Sequence, residues 1–312
     1  GIADDAKLIQ GTNYRSRLWF VDTDGKVWYG GVRAITGALT EFPIGYEFQR
    51  GGFPMWVATW TRGNGDVSQD LWVCCTSEGE VLVYAGASPD TDAFSLVGRA
   101  FLGKPLGRRS YQNVGTELEI LTEDGIIPLS RVMSDPLSVI NPLTDKIYPS
   151  FNRDAASYGT NFGWQASVYT KGRYAIYNVP VLEGEQAGQY VRNLYTGAWT
   201  RFVGWNASCF ATFNKNLYFG APNGNIYLAD TGMTDNGSNI ATRLSFAFNY
   251  LGDREHLKKL AFFRPIVVAN ESITFQTGAD VDFETTDLVD TITTAADEGA
   301  EWNTAEWNSA DW

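Results

Sequence analysis

Short apolar stretches alternate with glycine-containing turns along roughly the first three quarters of the chain. The clearest unit runs from Arg17 to Gly30, where two alternating segments flank an Asp-Gly turn at Asp24 and Gly25. Asp-Gly is favoured in tight hairpins because both central residues of such turns take positive φ angles. The unit therefore predicts a β-hairpin with one buried face. Similar units recur at residues 71–84, 118–127, 174–191 and 216–228.

The spacing of these hairpins predicts a repeated β architecture. Their turn glycines lie at positions 25, 79, 125, 184 and 224, at intervals of 54, 46, 59 and 40 residues. One four-stranded propeller blade takes roughly 40–50 residues. Strand-like segments at Met55–Trp60 and Ser208–Phe213 precede two of the hairpins. We therefore predict an all-β fold, a β-propeller of five or six blades of about four strands over residues 1–232. The alternative is a long β-sandwich or an irregular β domain.

One phrase of the sequence occurs twice. Ile35–Phe42 reads ITGALTEF, and Tyr195–Phe202 reads YTGAWTRF, 160 residues later. Each copy is a Thr-Gly turn followed by alternating apolar and polar residues, which is typical of a hairpin entering a half-buried strand. The separation corresponds to about three blade lengths. We predict that the two phrases form the outer hairpins of two blades.

Two regions interrupt the blade pattern. Residues 134–163 contain three prolines and lack clean alternation, which indicates an insertion between blades with one short helix inside Leu143–Ala156. A polar stretch at 235–239 is typical of a linker. The strand-like segments beyond it lie at 241–250, 259–269 and 273–283. We predict that residues 233–312 form a second β domain, a partial β-rich platform.

The chain ends in a small repeat of its own. Trp302, Trp307 and Trp312 recur every five residues in an acid-Trp-Asn-(Thr/Ser)-Ala pattern. A period of five matches neither a helix nor a strand. Exposed tryptophans favour a partner surface, so we predict that these three lie at an interface. The alternative is that they cover an edge of their own domain.

Composition and charge argue against several classes of protein. The net charge is −12, and the basic pairs Arg108-Arg109 and Lys258-Lys259 are short, which argues against a broad phosphate-binding surface. The three cysteines, an odd number, form a poor disulfide framework and are expected to be small buried apolar side chains in a protein made in a reducing cytoplasm. The apolar runs fall short of the ~20 residues that a membrane span needs, so we predict none.

The sequence carries few groups for catalysis. Its single histidine, His256, rules out a Ser-His-Asp site elsewhere in the chain and any histidine-rich metal site. Neither a GxGxxG nor a GxxxxGK[ST] motif occurs. Many acidic residues lie at turns, where a carboxylate binds its own backbone. We predict no catalytic residue, no cofactor and no metal, and therefore a protein that is not an enzyme.

Several longer sequence segments, taken together, indicate one kind of protein. They are the run Gly107–Ser130, the Thr-Gly phrase at 195–202 with Asn216–Gly220 after it, the segments 246–251, 258–265 and 279–283, and the terminal Trp-Asn-x-Ala period. Together they resemble the tail hub or nozzle (tail tubular) proteins of short-tailed bacteriophages. The resemblance extends from about residue 15 to the end of the chain and rests on turn and strand phrases rather than catalytic signatures.

The resemblance implies a structural role in a virion. Members of the family carry a β-propeller with a β-rich platform and form a ring, typically of six subunits, that extends the DNA channel below the portal and adaptor. The implied partners are further copies of the chain, the adaptor, a tail fibre or spike, and DNA that passes during ejection without specific binding. The implied location is the virion tail, assembled in the host cytoplasm. Because the family has platform sequence before its first blade and this chain does not, we expect an excerpt of a longer protein.

Two other functions remain open from the sequence. A carbohydrate-binding propeller would use aromatic pockets, such as those around Trp56, Trp60 and Trp164, to recognise a bacterial surface glycan. A propeller glycosidase would need only two carboxylates at a suitable separation. Alternation places many of the aromatic residues on one strand face, which instead favours a role in the blade cores.

Overall fold

The computed structural model describes residues 5–64, 67–91, 93–134 and 141–232, and parts of the chain beyond them. Those parts are 234–235, 237–240, 242–245, 248–250, 252, 255–259, 266, 273–282, 284 and 290–293. The chain divides into two compact units, Gly1–Gly232 and Met233–Trp312. The first unit is a five-bladed β-propeller, since its five antiparallel sheets follow one another along the chain with strands in sequence order.

The blades have three or four strands each. Blade 1 consists of β1 (Leu8–Tyr14), β2 (Arg17–Asp22), β3 (Val27–Tyr29) and β4 (Thr40–Phe42). Blade 2 consists of β5 (Pro54–Asn64), β6 (Val67–Thr76), β7 (Glu80–Ala85) and β8 (Ser95–Phe101). Blade 3 consists of β9 (Tyr111–Val114), β10 (Glu117–Thr122) and β11 (Gly125–Pro128). Blade 4 consists of β12 (Gln165–Tyr169), β13 (Tyr174–Leu182), β14 (Gln186–Asn193) and β15 (Trp199–Phe202). Blade 5 consists of β16 (Cys209–Phe213), β17 (Asn216–Gly220) and β18 (Ile226–Leu228).

The predicted hairpins and the predicted propeller are confirmed. Each predicted hairpin forms the second and third strands of its blade, for example β2 with β3 and β17 with β18. The insertion between blades 3 and 4 contains α1 (Leu129–Ser134) and α2 (Tyr148–Tyr158). The predicted helix begins inside the predicted range, at Tyr148, and ends two residues beyond it, at Tyr158. Pro149 fits its first turn because the proline nitrogen needs no intrahelical acceptor there. The six-residue α1 was not predicted, since it is too short to show a helical period.

The first strands of the five blades lie side by side and parallel. A parallel bridge joins Arg109, just before β9, to Gln165 at the start of β12. Between other neighbouring first strands, the residue numbers of the bonded partners increase together along both strands. The hydrogen bonds from Trp56 to Ser110 and from Trp60 to Thr116 are an example. Consequently, the described turns between first and second strands lie at one end of the propeller, and the turns between second and third strands lie at the other.

Two of these strand contacts use the same glutamine clamp. The Gln10 side chain accepts from the Val57 backbone N–H at 3.0 Å and donates to the Val57 carbonyl at 2.8 Å. Gln165 makes the same pair of bonds with the backbone of Phe210, at 2.8 and 2.9 Å. A threonine two residues after each clamped position, Thr59 or Thr212, donates to a carbonyl of the clamping strand, and this repeats the arrangement in detail.

The glutamine clamp and the duplicated phrase reveal the same internal repeat. The Thr-Gly phrases form the turns before the outermost strands of blades 1 and 4, as predicted. The strand pairing aligns them residue by residue, since Glu41 pairs with Trp28 in blade 1 and Arg201 pairs with Tyr190 in blade 4. Blades 1 and 2 are therefore equivalent to blades 4 and 5, which is a repeat of three blades.

Hydrophobic clusters fill the four junctions between successive blades. The junction of blades 1 and 2 is mainly aromatic, with the rings of Trp19 and Trp72 4.8 Å apart. Trp56 and Trp60 fill the junction of blades 2 and 3, and Phe151 of α2 contributes to that of blades 3 and 4. A fourth cluster joins blades 4 and 5. Burying one such large side chain contributes about 2–3 kcal/mol. In the described part of the propeller, blades 5 and 1 share no cluster of this kind.

The second unit contains two described strands, β19 (Thr274–Thr277) and β20 (Asp290–Thr293), which pair antiparallel. The first lies within the strand predicted at 273–283. The strand predicted at 241–250 is wrong for its described residues, 242–245 and 248–250, which have no regular secondary structure. The segment 259–269 lies almost entirely outside the described residues. The assignment of this unit as a platform domain stays a prediction.

The glutamine clamps generate a stability prediction. Replacing Gln10 by alanine leaves the fully buried Val57 backbone N–H and C=O without their partners. We expect Gln10→Ala to lower the free energy of unfolding by about 2 kcal/mol, and Gln165→Ala to cost a similar amount, in urea titrations. The exposed Gln69→Ala on β6 is the control and should change stability by less than about 0.5 kcal/mol. A neutral result for both clamp variants would show that the blades do not depend on these bonds.

Candidate interaction surfaces

Blade 5 exposes an apolar face. Phe210, Leu217 and Phe219 of this blade point towards blade 4 and are buried there. Because side chains alternate along a strand, the neighbouring positions face the opposite way. On that side Phe213 is 71% exposed and Ile226 76% exposed. We call this surface, formed by Ala211, Phe213, Ile226 and Leu228, the blade 5 outer face.

The equivalent face of blade 2 is fully covered. The clamp and the strand registers align Phe213 with Trp60, and Ile226 with Val81. Trp60 is 1% exposed and Val81 0%, because blade 3 packs against them. The blade 5 outer face is thus the kind of surface that receives another sheet elsewhere in the same propeller.

Blade 1 has an apolar face on its far side as well. Leu18, Phe20 and Trp28 point away from blade 2, opposite to Trp19 and Val21. Leu18 and Phe20 are half-buried, and the Trp28 indole donates to Asp22 at 2.8 Å. In blade 4 the aligned positions are Ala175, Tyr177 and Tyr190, all buried in the cluster that joins blade 4 to blade 3. Trp28 itself is only 7% exposed. The described blades therefore present two unlike apolar faces, an exposed one on blade 5 and a partly covered one on blade 1.

A buried ion pair lies between blades 3 and 4. The Glu119 carboxylate forms an ion pair with Arg192 and accepts hydrogen bonds from the Tyr177 hydroxyl at 2.5 Å and the Gln112 amide at 3.0 Å. Burial and the neighbouring Glu119 carboxylate raise the pKa of Tyr177 well above its usual range. Because each carboxylate oxygen is held by donors from the adjoining blade, this group links two blades and is not free for proton transfer.

Three further buried carboxylates are also fully engaged. Glu80 binds Arg99 and accepts from two backbone N–H groups before β5, those of Gln49 and Arg50, each at 2.8 Å. Asp154 of α2 accepts from the Tyr190 hydroxyl at 2.6 Å. Asp22 holds the Trp28 indole and a turn N–H. These contacts attach turns and helices to blades.

The structure places the predicted site residues as follows. Trp302, Trp307 and Trp312 lie outside the described residues, so their role at an interface stays a prediction. Trp56, Trp60 and Trp164 are at most 2% exposed, and each indole N–H already donates within the chain. They are core residues and cannot stack on a glycan. The blade 5 outer face was not predicted. The available signal was β18, whose three residues are apolar on both faces of the strand.

Other potential sites are sparse in the described residues. A shallow cavity of about 430 Å³ is lined by Asp124, Asp145 and Tyr148 together with Ile127 and Pro142. Among the described residues, histidine, cysteine and acidic side chains nowhere gather in a group of three or more that could bind a metal ion. Cys74 and Cys75 are buried free thiols. None of the described helices combines the length and the apolar character needed to cross a membrane.

Comparison with known proteins places the chain in no family. No family model and no curated protein matches its sequence. Its fold is similar to two crystal structures of BBS1N in complex with ARL6DN, one soaked with lead and one with mercury. They share 12% and 10% identity with it, each with a TM-score of 0.40 over 68% of this chain. The match spans 59% and 60% of the BBS1N chains.

The buried Glu119 pair predicts a large effect of one substitution. Arg192→Met leaves a buried carboxylate without its cation, and we expect it to lower the free energy of unfolding by about 3 kcal/mol or more. Adding Glu119→Leu should recover much of this loss, since both charges are then gone. The exposed Arg173→Met is the control. Urea titrations of the four proteins test the prediction, which fails if Arg192→Met and Arg173→Met behave alike.

The buried tyrosines predict an alkaline limit of stability. Burial raises the pKa values of Tyr84, Tyr111, Tyr174 and Tyr177 in the folded protein. Unfolded tyrosines ionise near pH 10, so the unfolded chain releases protons first as the pH rises. The stabilisation is complete below about pH 10 and is lost above it. We expect the urea midpoint to fall between about pH 9.5 and 11.5, and to fall less in Tyr177→Phe.

Proposed function

We propose that this protein is a structural, self-assembling subunit of a short-tailed bacteriophage tail, a ring-forming hub or nozzle subunit. The observation that carries the proposal is the pair of unlike apolar faces on blades 5 and 1. Large apolar patches on soluble proteins mark interaction sites. The blade 5 outer face is the clearer of the two, because its aligned residues in blade 2 are buried under a neighbouring blade.

Unlike faces suit a ring. A subunit that joins its copies through two different surfaces makes head-to-tail contacts, which close into a ring when the rotation permits. A two-fold dimer would instead use one self-complementary surface twice. The resemblance of the turn and strand phrases to tail hub and nozzle proteins supplies the biological setting, including the typical copy number of six and the passage of DNA.

The tryptophans considered for glycan binding and the four buried carboxylates are already engaged within the chain. The three tryptophans considered for a glycan pocket are buried in blade junctions. The four buried carboxylates of the described blades bind tyrosine, tryptophan, arginine or backbone donors of the same chain. These observations favour an assembly role over a carbohydrate-binding or glycosidase role.

Native mass spectrometry of the full chain at micromolar concentration tests the proposal. We expect a closed ring, of six copies if the resemblance extends to copy number. Phe213→Ser with Ile226→Ser should shift the distribution to monomers. Because both side chains are largely exposed, this variant should keep the unfolding free energy within about 1 kcal/mol of the parent.

Tyr195→Ser is the matched control, since Tyr195 is 85% exposed but lies on the Thr-Gly turn of blade 4, away from the blade 5 outer face. It should leave the oligomer intact. A parent protein that stays monomeric at tens of micromolar would contradict the ring. Assembly that survives the blade 5 substitutions would show that another surface holds the copies together.

A further inference from the structure

The two ends of the propeller carry opposite charge. Because the first strands of all blades run parallel, the turns between first and second strands share one end, called here the first-turn end. The turns between second and third strands share the other, called the second-turn end. Each end thus gathers side chains that are far apart in sequence.

The first-turn end is basic. Its described turns between first and second strands, those of blades 1, 3, 4 and 5, carry Arg15, Lys171, Arg173 and Lys215, all exposed, and no carboxylate. Because the blades are antiparallel, the segments after the third strands reach the same end. There Arg33 adds a cation, Asp90 pairs with Arg17, and Asp230 is a carboxylate with no described ion pair. Three of the four turn cations adopt positive φ angles, of 51°, 57° and 64°. None of the four forms an ion pair with another described residue. In a chain with 36 acidic and 24 basic residues, four unpaired cations at one end indicate an acidic partner.

The second-turn end is acidic. Its turns carry six carboxylates, Asp24, Glu78, Glu123, Asp124, Glu183 and Glu185. Within the described residues, Asp24 pairs with Lys7 and Glu78 with Lys104, and the one cation of these turns, Lys26, pairs with Glu41. The remaining four carboxylates form no described ion pair.

We propose that the first-turn end of one copy binds the second-turn end of another copy, so that propellers stack end to end. A polyanion such as DNA could occupy the basic end, but it would leave the four carboxylates unpaired and approach a protein of net charge −12. A second copy satisfies both ends at once. The contact concerns different surfaces from the apolar faces of blades 1 and 5, and it can form between single propellers or between rings.

The strength of such a contact depends on salt. A single exposed ion pair contributes little, so several must act in parallel. Exposed charges interact over about 30 Å at 0.01 M salt but over about 3 Å at 1 M. End-to-end association should therefore be strong at low ionic strength and lost at high ionic strength, whereas contacts between apolar faces should persist.

Charge reversal at the two ends of blade 4 tests the proposal. The basic-end variant is Lys171→Glu with Arg173→Glu, and the acidic-end variant is Glu183→Lys with Glu185→Lys. An equimolar mixture of the two variants contains one unaltered basic end and one unaltered acidic end. The control, Arg243→Glu with Lys259→Glu, makes the same charge change as the basic-end variant at exposed positions outside the propeller.

Sedimentation velocity of the full chain in 0.02 M and 0.5 M salt gives the readout. We expect stacking of the parent at low salt, loss of it at high salt, and at least tenfold weaker association in each single-end variant. An equimolar mixture of the two single-end variants should associate again, because each supplies the end that the other lacks, and the control should behave as the parent. The salt dependence of the parent alone remains a test if a variant fails to fold.

Three outcomes would overturn the proposal. They are no salt-sensitive association of the parent at up to about 100 µM, single-end variants that stack like the parent, and a mixture of the two single-end variants that does not associate. Binding of a fluorescent DNA duplex that is lost in the basic-end variant, without stacking of the parent, would assign the basic end to a polyanion instead. If stacking fails in one of these ways but a ring persists at 0.5 M salt, the proposed function still stands and only the stacking proposal is lost.

Discussion

A sheet with apolar side chains on both faces must be covered on both faces, and this constraint organises the whole propeller. Blades 2, 3 and 4 meet it by packing against neighbours on each side, through aromatic or aliphatic clusters. The ion pair of Glu119 and Arg192 forms between two such neighbours and is largely shielded from solvent. Among the described residues, the first and last blades each share a hydrophobic cluster with one neighbouring blade only. The partner proposed above would therefore meet the same constraint that builds the core.

The side-chain contacts between first strands fix how neighbouring blades are placed. In the clamps of Gln10 and Gln165, one amide satisfies both polar groups of a buried backbone position across a blade junction. These contacts recur with the same spacing in blades 1–2 and 4–5. The unit of repetition is therefore a set of three blades rather than a single blade, which explains why the Thr-Gly phrase occurs twice and not five times.

Much of the propeller could be predicted from the sequence because hairpin turns carry a local signal. Asp24-Gly25 and Asn223-Gly224 specify turns through their own backbone preferences, whatever packs around them. The clamps could not be predicted, since a glutamine such as Gln10 in an alternating strand looks like any polar residue. Exposure of Phe213 and Ile226 depends on whether a neighbouring blade exists, and no local pattern contains that information. The charged turn residues can be read from the sequence. Which of them share an end of the propeller could be assigned only once the first strands were known to run parallel.

The backbone at the basic end has a consequence for the balance between stability and function. Arg15, Arg173 and Lys215 occupy the left-handed region of φ, where glycine is accommodated without steric cost and a long side chain is not. The turns of the opposite end place glycine at such positions, as at Gly25 and Gly224. A chain shaped by thermodynamic stability alone would do the same at both ends. Cations in these conformations lower the conformational stability of the basic end, and glycine at the same positions would remove both the backbone cost and the charge.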